Sequence, residues 1–432
     1  MSDFIERPRT ACALAGALSV IANLPDVIPI IHTSLGCGGN LANSVAFGSG
    51  YLGGGYCNGG AAPSTGITET EIVFGGTDRL DEQIRNTLEL IDGKLYIVVT
   101  GCMTEMIGDD AAGIVSEYHG KPICSVSAPG FKGDSYHGYE VVLDGIFNRY
   151  LPVNAKKNPK LVNLFGLVPG YDPFFRGDLE EIERLLTALG LEVNTFFTPG
   201  QTFDNITCAA SASLNIVLSR TWGTAFAEKF QERHGTPYWV ADLPIGPEAT
   251  DKFLQEAADR FQLNASRVIE QENHRFYGYF ERTADAFCDQ DLKYYAVTVS
   301  NSTYALPLAK FVTRELGWVV TDSFVTDKLT EKQKSALEGE YPLQFQTGVQ
   351  EIARALNNNH PNNGQKYFDD LSPLYIIGST LEKRTAAARG AKHLSVSFPA
   401  YDRLITDRGY AGYRGGLHLF EDLVSQIMSV KS

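Results

Sequence analysis

No apolar run in this chain is long enough to span a membrane, and its first residues, Met1-Ser-Asp-Phe-Ile-Glu-Arg-Pro8, have neither the basic end nor the apolar stretch of a signal peptide. A cytoplasmic protein is the expectation. No basic run offsets the formal net charge of -14, which argues against nucleic acid as a partner. There is no Walker A sequence, so any ATP used in the chemistry belongs to another protein. Cys-x-x-Cys, zinc-finger spacing and a ferredoxin-like cysteine run are all missing, which removes the common single-chain metal sites. A fixed sequence period is absent too, which removes solenoids.

What is present is an ordinary globular composition, 44% hydrophobic and 20% charged over 432 residues, long enough for two to four domains. Apolar runs alternate with helical patterns. Val27 to Ile31 and Leu95 to Thr100 read as buried strands, and Leu80, Ile84, Leu88 and Ile91 between them recur at helical spacing, with Asp78 as N-cap and Gly93 as stop. The pattern resumes with Leu161 to Phe165, a helix from Asp178, Leu191 to Phe197, Leu214 to Leu218, a helix ending at His234-Gly235, and Tyr238 to Val240. A third series comprises Tyr294 to Ser300, a helix to Leu316, Trp318 to Thr321, Leu374 to Ile377 and Leu394 to Val396. Three such sets predict an α/β protein with three doubly wound, Rossmann-like parallel-sheet domains. The polar segment Pro152 to Pro159 and a cut near Asp285 give units of 1–155, 156–285 and 286–432, the last with a C-terminal helix. Asn357 to Gly364 reads as a solvated loop. Gly48-Ser-Gly-Tyr-Leu-Gly53 matches a dinucleotide fingerprint in form, but it runs into further glycines instead of a helix that could hold a pyrophosphate.

Seven cysteines, an odd number spread along the chain, fit reduced thiols or metal ligands better than a disulfide framework. Three of them sit among or directly after glycines: Cys37 in Leu35-Gly-Cys-Gly-Gly39, Cys57 in Gly53-Gly-Gly-Tyr-Cys-Asn-Gly-Gly60, and Cys102 in Thr100-Gly-Cys-Met-Thr-Glu105. A thiolate that touches a bulky inorganic cluster needs backbone nearby without side chains in the way. Cys102 directly follows a strand, at the carboxyl end where open α/β sheets place ligands, and Cys37 follows Val27 to Ile31 through a loop. Asp109 or Asp110 is placed to cap backbone N–H groups and steady the Cys102 loop. Cys12, Cys124, Cys208 and Cys288 lie in ordinary apolar or mixed stretches, where a small packing thiol is the default. Three thiolates leave an iron-sulfur cluster incompletely ligated, so a second subunit is expected to complete it.

His32-Thr-Ser-Leu-Gly-Cys37, Thr68-Glu-Thr-Glu-Ile-Val-Phe-Gly-Gly76, Thr100-Gly-Cys-Met-Thr-Glu-Met-Ile-Gly-Asp-Asp110 and Phe398-Pro-Ala-Tyr-Asp-Arg403 resemble, in order along the chain, motifs of the nitrogenase component 1 family. Leu214 to Trp222 and Gly409 to Gly416 resemble its β subunit. The resemblance implies an oxidoreductase subunit that shares an 8Fe-7S P-cluster with an α-like partner in an α2β2 heterotetramer. Electrons would arrive from an ATP-hydrolysing 4Fe-4S reductase dimer and leave for an active-site cofactor in the partner, with no catalytic residue in this chain. It assigns Cys37 and Cys102 as cluster ligands. Counted without gaps, the family's middle cysteine falls on Ala62: either Cys57, five residues earlier, is a displaced ligand, or the site has fewer cysteines and a different cluster. Gly130 stands where the family's β subunit can offer a serine to the oxidised cluster. The α subunit's cofactor ligands have no counterpart in matching context: Ser219 falls near one, and His418 is offset from the other. The short chain and altered middle cysteine are most similar to methylthio-alkane reductase, which cleaves C–S bonds to recover sulfur. A cofactor-assembly scaffold and a dinitrogen-reducing enzyme are the alternatives.

Overall fold

The computed structural model describes residues 8–51, 62–153, 155–290, 292–339, 341–359 and 374–429. Its twelve strands form three all-parallel sheets. The first is β1 (Val27–His32), β2 (Leu95–Thr100) and β3 (Ile123–Ser127), in spatial order 1-2-3. The second is β4 (Asn158–Phe165), β5 (Glu192–Asn194), β6 (Ala212–Val217) and β7 (Tyr238–Val240), in order 5-4-6-7. The third is β8 (Tyr295–Ser300), β9 (Val319–Val325), β10 (Leu343–Phe345), β11 (Leu374–Gly378) and β12 (Lys392–Ser395), in order 10-9-8-11-12. The fold is therefore the expected α/β architecture.

Every residue of β2 is buried, as a strand covered by helices on both faces must be. Its register with β1 runs from Val27 opposite Leu95 to His32 opposite Thr100, so both strands end at the same level. The intervening helix, Thr77–Leu90, buries Leu80 and Ile84. Its N-cap is Gly76, not Asp78, which lies in the first turn, because the Asp109 carboxylate receives the Gly76 N–H at 3.0 Å and takes over the capping role. Similarly, Asp178 lies inside helix Phe175–Ala188 instead of starting it. Its buried carboxylate accepts the N–H groups of Tyr410 and Ala411 and the Tyr304 hydroxyl, tying the second set of elements to the third.

Two helices position the N-terminal segment. Helix Ala13–Ala22 crosses helix Ser135–Leu143 with Gly16 against the Ser135 backbone and Gly138 against the Ala13 backbone, so closely that a Cβ at either glycine would overlap main-chain atoms. Arg9, one turn upstream, reaches the third unit, where its guanidinium pairs with the buried Glu382. The C-terminal helix Gly412–Met428 packs on Phe175–Ala188, Pro247–Phe261 and Ser266–Phe280 as well as on β12, so it bridges the second and third sets. The loop expected from Asn357 is helical through Asn359, and its remainder lies outside the described residues.

Candidate functional site

Three cysteines stand at the starts of three helices. Cys102 is the first residue of helix Cys102–Ile107, immediately beyond β2. Cys37 is the third residue of helix Leu35–Gly48, which begins three residues after β1. The glycines around Cys37 are thus helical, where the sequence predicts a loop: packing against helix Ala13–Ala22 overrides their weak propensity. The third cysteine, Cys12, is the N-cap residue of helix Ala13–Ala22. Cys12 packs partly buried against the core, as expected of a small thiol, and it also stands at the same edge as Cys102. An isolated antiparallel bridge joins Cys12 to Asp134, and this holds the sulfur beside the loop that follows β3.

Gly130 is the meeting point. A Cβ built there would lie 2.9 Å from the Cys12 Cβ, 3.8 Å from the Cys12 Sγ and 3.5 Å from the Cys102 Sγ. The Gly130 N–H donates to the Cys102 Sγ at 3.0 Å. Two sulfurs therefore flank a peptide that has no side chain to separate them. Cys37 is held at the neighbouring strand end, its Sγ 3.5 Å from the Ser34 hydroxyl and its N–H on the Ser34 carbonyl. All three are half-buried, and Cys12 and Cys37 pack against the core.

The surrounding polar groups fix the edge. His32 is fully buried, with Nδ1 3.1 Å from the Thr65 hydroxyl and Nε2 3.1 Å from Asp109. Burial holds its imidazole below the ordinary value, although Asp109 pulls the other way. Asp110 accepts the Gly113 N–H at 2.8 Å and caps helix Ala111–Ser116, so both aspartates work as expected. Glu105 accepts from Lys132 at 3.1 Å and from the Thr100 hydroxyl.

The remaining cysteines divide. Cys124 sits on β3, where burial pushes its thiol up to about 12, consistent with a packing role. Cys208 is half-buried beside Asn194, whereas Cys288 is exposed and so is not the packing thiol expected. Cys57 lies outside the described residues, and Ala62 is exposed. Ser219 is buried and hydrogen-bonded to Thr221 and Thr303, each at 3.0 Å, while His418 Nδ1 faces the Gly409 carbonyl at 3.3 Å.

Among the described residues no three His, Cys, Asp or Glu side chains converge closely enough to hold a single metal ion. A polynuclear cluster requires something else: thiols spread around a larger body, amide donors to sulfur, and no Cβ in the way. Cys12, Cys37, Cys102 and Gly130 supply these. Around them the surface is unusually apolar, with Leu35 70%, Val73 72%, Phe74 84%, Met106 75% and Phe131 60% exposed. Helix Glu69–Phe74 buries none of its residues and rests on helix Cys102–Ile107. Exposed apolar groups in such density mark a face that another protein covers. No helix among the described residues is long and apolar enough to cross a membrane.

The chain is 25% identical over 458 residues to the nitrogenase molybdenum-iron protein beta chain of Bradyrhizobium diazoefficiens, covering 97% of this chain and 83% of that one. It is 28% identical over 286 residues to the corresponding alpha chain of Methanococcus maripaludis, covering 60% and 57%. The nitrogenase iron-molybdenum cofactor biosynthesis protein NifE of Methanosarcina barkeri is 26% identical over 284 residues, covering 61% and 59%. A solved structure titled nitrogenase Cp1 at pH 6.5 superposes with a TM-score of 0.80 at 19% identity, covering 99% of this chain and 94% of that chain, which establishes the likeness of fold. The family model for nitrogenase component 1 type oxidoreductases matches residues 12–428, from Cys12 to the end of the last helix, and the chain belongs to that family.

Proposed function

We propose that this chain is the β-like subunit of a nitrogenase-like two-component reductase and that Cys12, Cys37 and Cys102 provide its half of an interface iron-sulfur cluster of the 8Fe-7S type. The observation that carries the reading is the convergence of the Cys12 and Cys102 sulfurs on Gly130. When bound, such a cluster supplies electron relay between an ATP-dependent 4Fe-4S reductase and a cofactor in the α-like partner. The chain's own contribution is structural and electrostatic. The Gly130 N–H stabilises the Cys102 thiolate and so raises the potential of whatever that sulfur ligates. Positive helix ends at Cys12, Cys37 and Cys102 offset the negative charge of a thiolate-ligated cluster. The apolar surface at Leu35, Val73, Phe74 and Met106 excludes water once the partner is seated. An α2β2 heterotetramer follows from a site that is only half built here.

For the overall reaction we propose reductive C–S bond cleavage of the methylthio-alkane reductase kind, carried out in the partner subunit. On this side Ser219 and His418 are engaged in hydrogen bonds within the chain, which fits an active-site cofactor placed in the partner. Two other readings each have an observation in their favour. The full-length relatives are named as molybdenum-iron protein beta chains, which favours dinitrogen reduction, and the likeness to NifE favours a cofactor-assembly scaffold. Iron analysis and electron paramagnetic resonance of the co-purified complex, with turnover assays on ethyl methyl sulfide and on dinitrogen, separate the three. A complex without eight-iron stoichiometry, or with iron unchanged in Cys12→Ala, Cys37→Ala and Cys102→Ala, overturns the cluster assignment.

A further inference from the structure

Behind the cysteine edge lies a second compartment, a cavity of about 840 Å³ whose wall is drawn from all three sheets. Gly130 to Asp134 follow β3, Arg220 to Trp222 follow β6, and Thr326, Lys328 and Thr330 follow β9. Loops at the carboxyl ends of parallel strands are where this class of fold binds ligands, and here three such loop sets face one space. The volume lies within the range of small-molecule sites.

The charge on the wall is opposite to that of the whole molecule. Five of its residues are Lys or Arg and three are Asp or Glu, in a chain of net charge -14. The carboxylates keep their charge but each accepts a hydrogen bond from within the chain: Asp134 Oδ1 accepts the N–H groups of Tyr136 and His137 while its buried Oδ2 has no partner among the described residues, Glu140 accepts that of Gly223, and Glu228 the Tyr238 hydroxyl. Arg9, Arg220 and Lys132 are paired with Glu382, Asp242 and Glu105, none of which lines the cavity. Lys328 and Lys332 are exposed and form no ion pair among the described residues, though Asp134 feels the charge of Lys328. Two aromatic rings complete the wall, Phe131, which is 60% exposed, and Trp222, which stacks on Tyr136 at 5.0 Å between ring centroids.

We infer that this cavity binds a small organic anion, with a phosphate or carboxylate held by Lys328 and Lys332 and a planar apolar body against Phe131 and Trp222. The site is separate from the thiols in its chemistry, but it shares Cys12 and Gly130 as wall residues, so an occupant's negative charge lies close to the cysteine edge.

The test is calorimetric titration of the co-purified complex with phenyl phosphate, benzoate, inorganic phosphate and phenol. Phenyl phosphate or benzoate should bind saturably and more tightly than inorganic phosphate or phenol, and whichever of the two is tighter identifies the head group. The Lys328→Gln/Lys332→Gln pair should weaken that binding by about tenfold or more, because charge-assisted contacts are lost. Lys252→Gln, in the adjoining cleft between Trp239 and Phe311 and not on the cavity wall, should leave it unchanged. Both lysines of the pair are exposed, so circular dichroism and iron content should match the parent. Absence of saturable binding, phenol binding as tightly as the anions, or a double variant that binds like the parent overturns the inference. Each of these results can be read whether or not the cluster assignment stands.

Discussion

The N–H of Gly130 points at the sulfur of Cys102 from 3.0 Å, while the same residue's missing side chain leaves room for Cys12. One residue therefore serves two thiols. Gly130→Ala keeps the N–H but drives a methyl group to 2.9 Å from the Cys12 Cβ, so Cys12 must move. Overpacking of this kind costs about 1–3 kcal/mol. Iron content should fall and the cluster midpoint potential should shift, read by anaerobic iron assay and redox titration, while circular dichroism stays near that of the parent.

The cysteines should separate into groups. Cys12→Ala, Cys37→Ala and Cys102→Ala should each lose most interface iron, and Cys124→Ala should lose none, since its thiol is buried on β3. Cys57→Ala, measured beside them, shows whether the glycine-rich segment also contributes a sulfur. Cys12→Ala with full iron content would return that residue to a packing role.

How far the sequence could be read is clearest at these thiols. Cys102 was legible because a continuous apolar run, Leu95 to Thr100, ends directly before it, and strand ends are read from local pattern. Cys12 was not legible. Its neighbours, Thr-Ala-Cys-Ala-Leu, look like the start of any buried helix, and its placement depends on a bridge to Asp134, more than a hundred residues away. Its position as N-cap of the apolar helix Ala13–Ala22 was the available signal. The three-sheet architecture was legible for the same local reason as Cys102. By contrast, β3 and the short edge strand β10 carry too little apolar pattern to stand out, and β9 continues to Val325 through Asp322 and Ser323, polar residues buried beside Gln344 and Thr298.

Arg9 and Glu382 form a buried ion pair across the molecule, and charge pairing with Arg9 helps hold the Glu382 carboxyl below its ordinary value despite burial. Arg9→Met leaves that carboxylate buried without its partner, which should cost about 3–5 kcal/mol. Urea denaturation of the parent and variant chains measures it. A loss below 1 kcal/mol would mean that the pair contributes little to holding the N-terminal arm.

Stability should also depend on pH through two interior aspartates. Burial pushes Asp172 up to about 7 and Asp178 up to about 6. Both values lie above the unfolded one, so each group's contribution is complete below about pH 4 and is lost as pH rises through its folded value. Asp172→Asn removes one of the two titrations, and its unfolding free energy should fall less steeply than the parent's between pH 4 and 7. Equal slopes would rule out Asp172 as a contributor.

The Arg9 contact also sets a timetable. All three site thiols and Gly130 are synthesised within the first 130 residues, and nascent domains fold from the N-terminus onward. Glu382 emerges some 250 residues later. On the ribosome, then, the crossing of Gly16 and Gly138 must hold Cys12 at the cysteine edge without help from the salt bridge. The arm is locked only when the chain is nearly complete, once the third sheet has closed over residue 9.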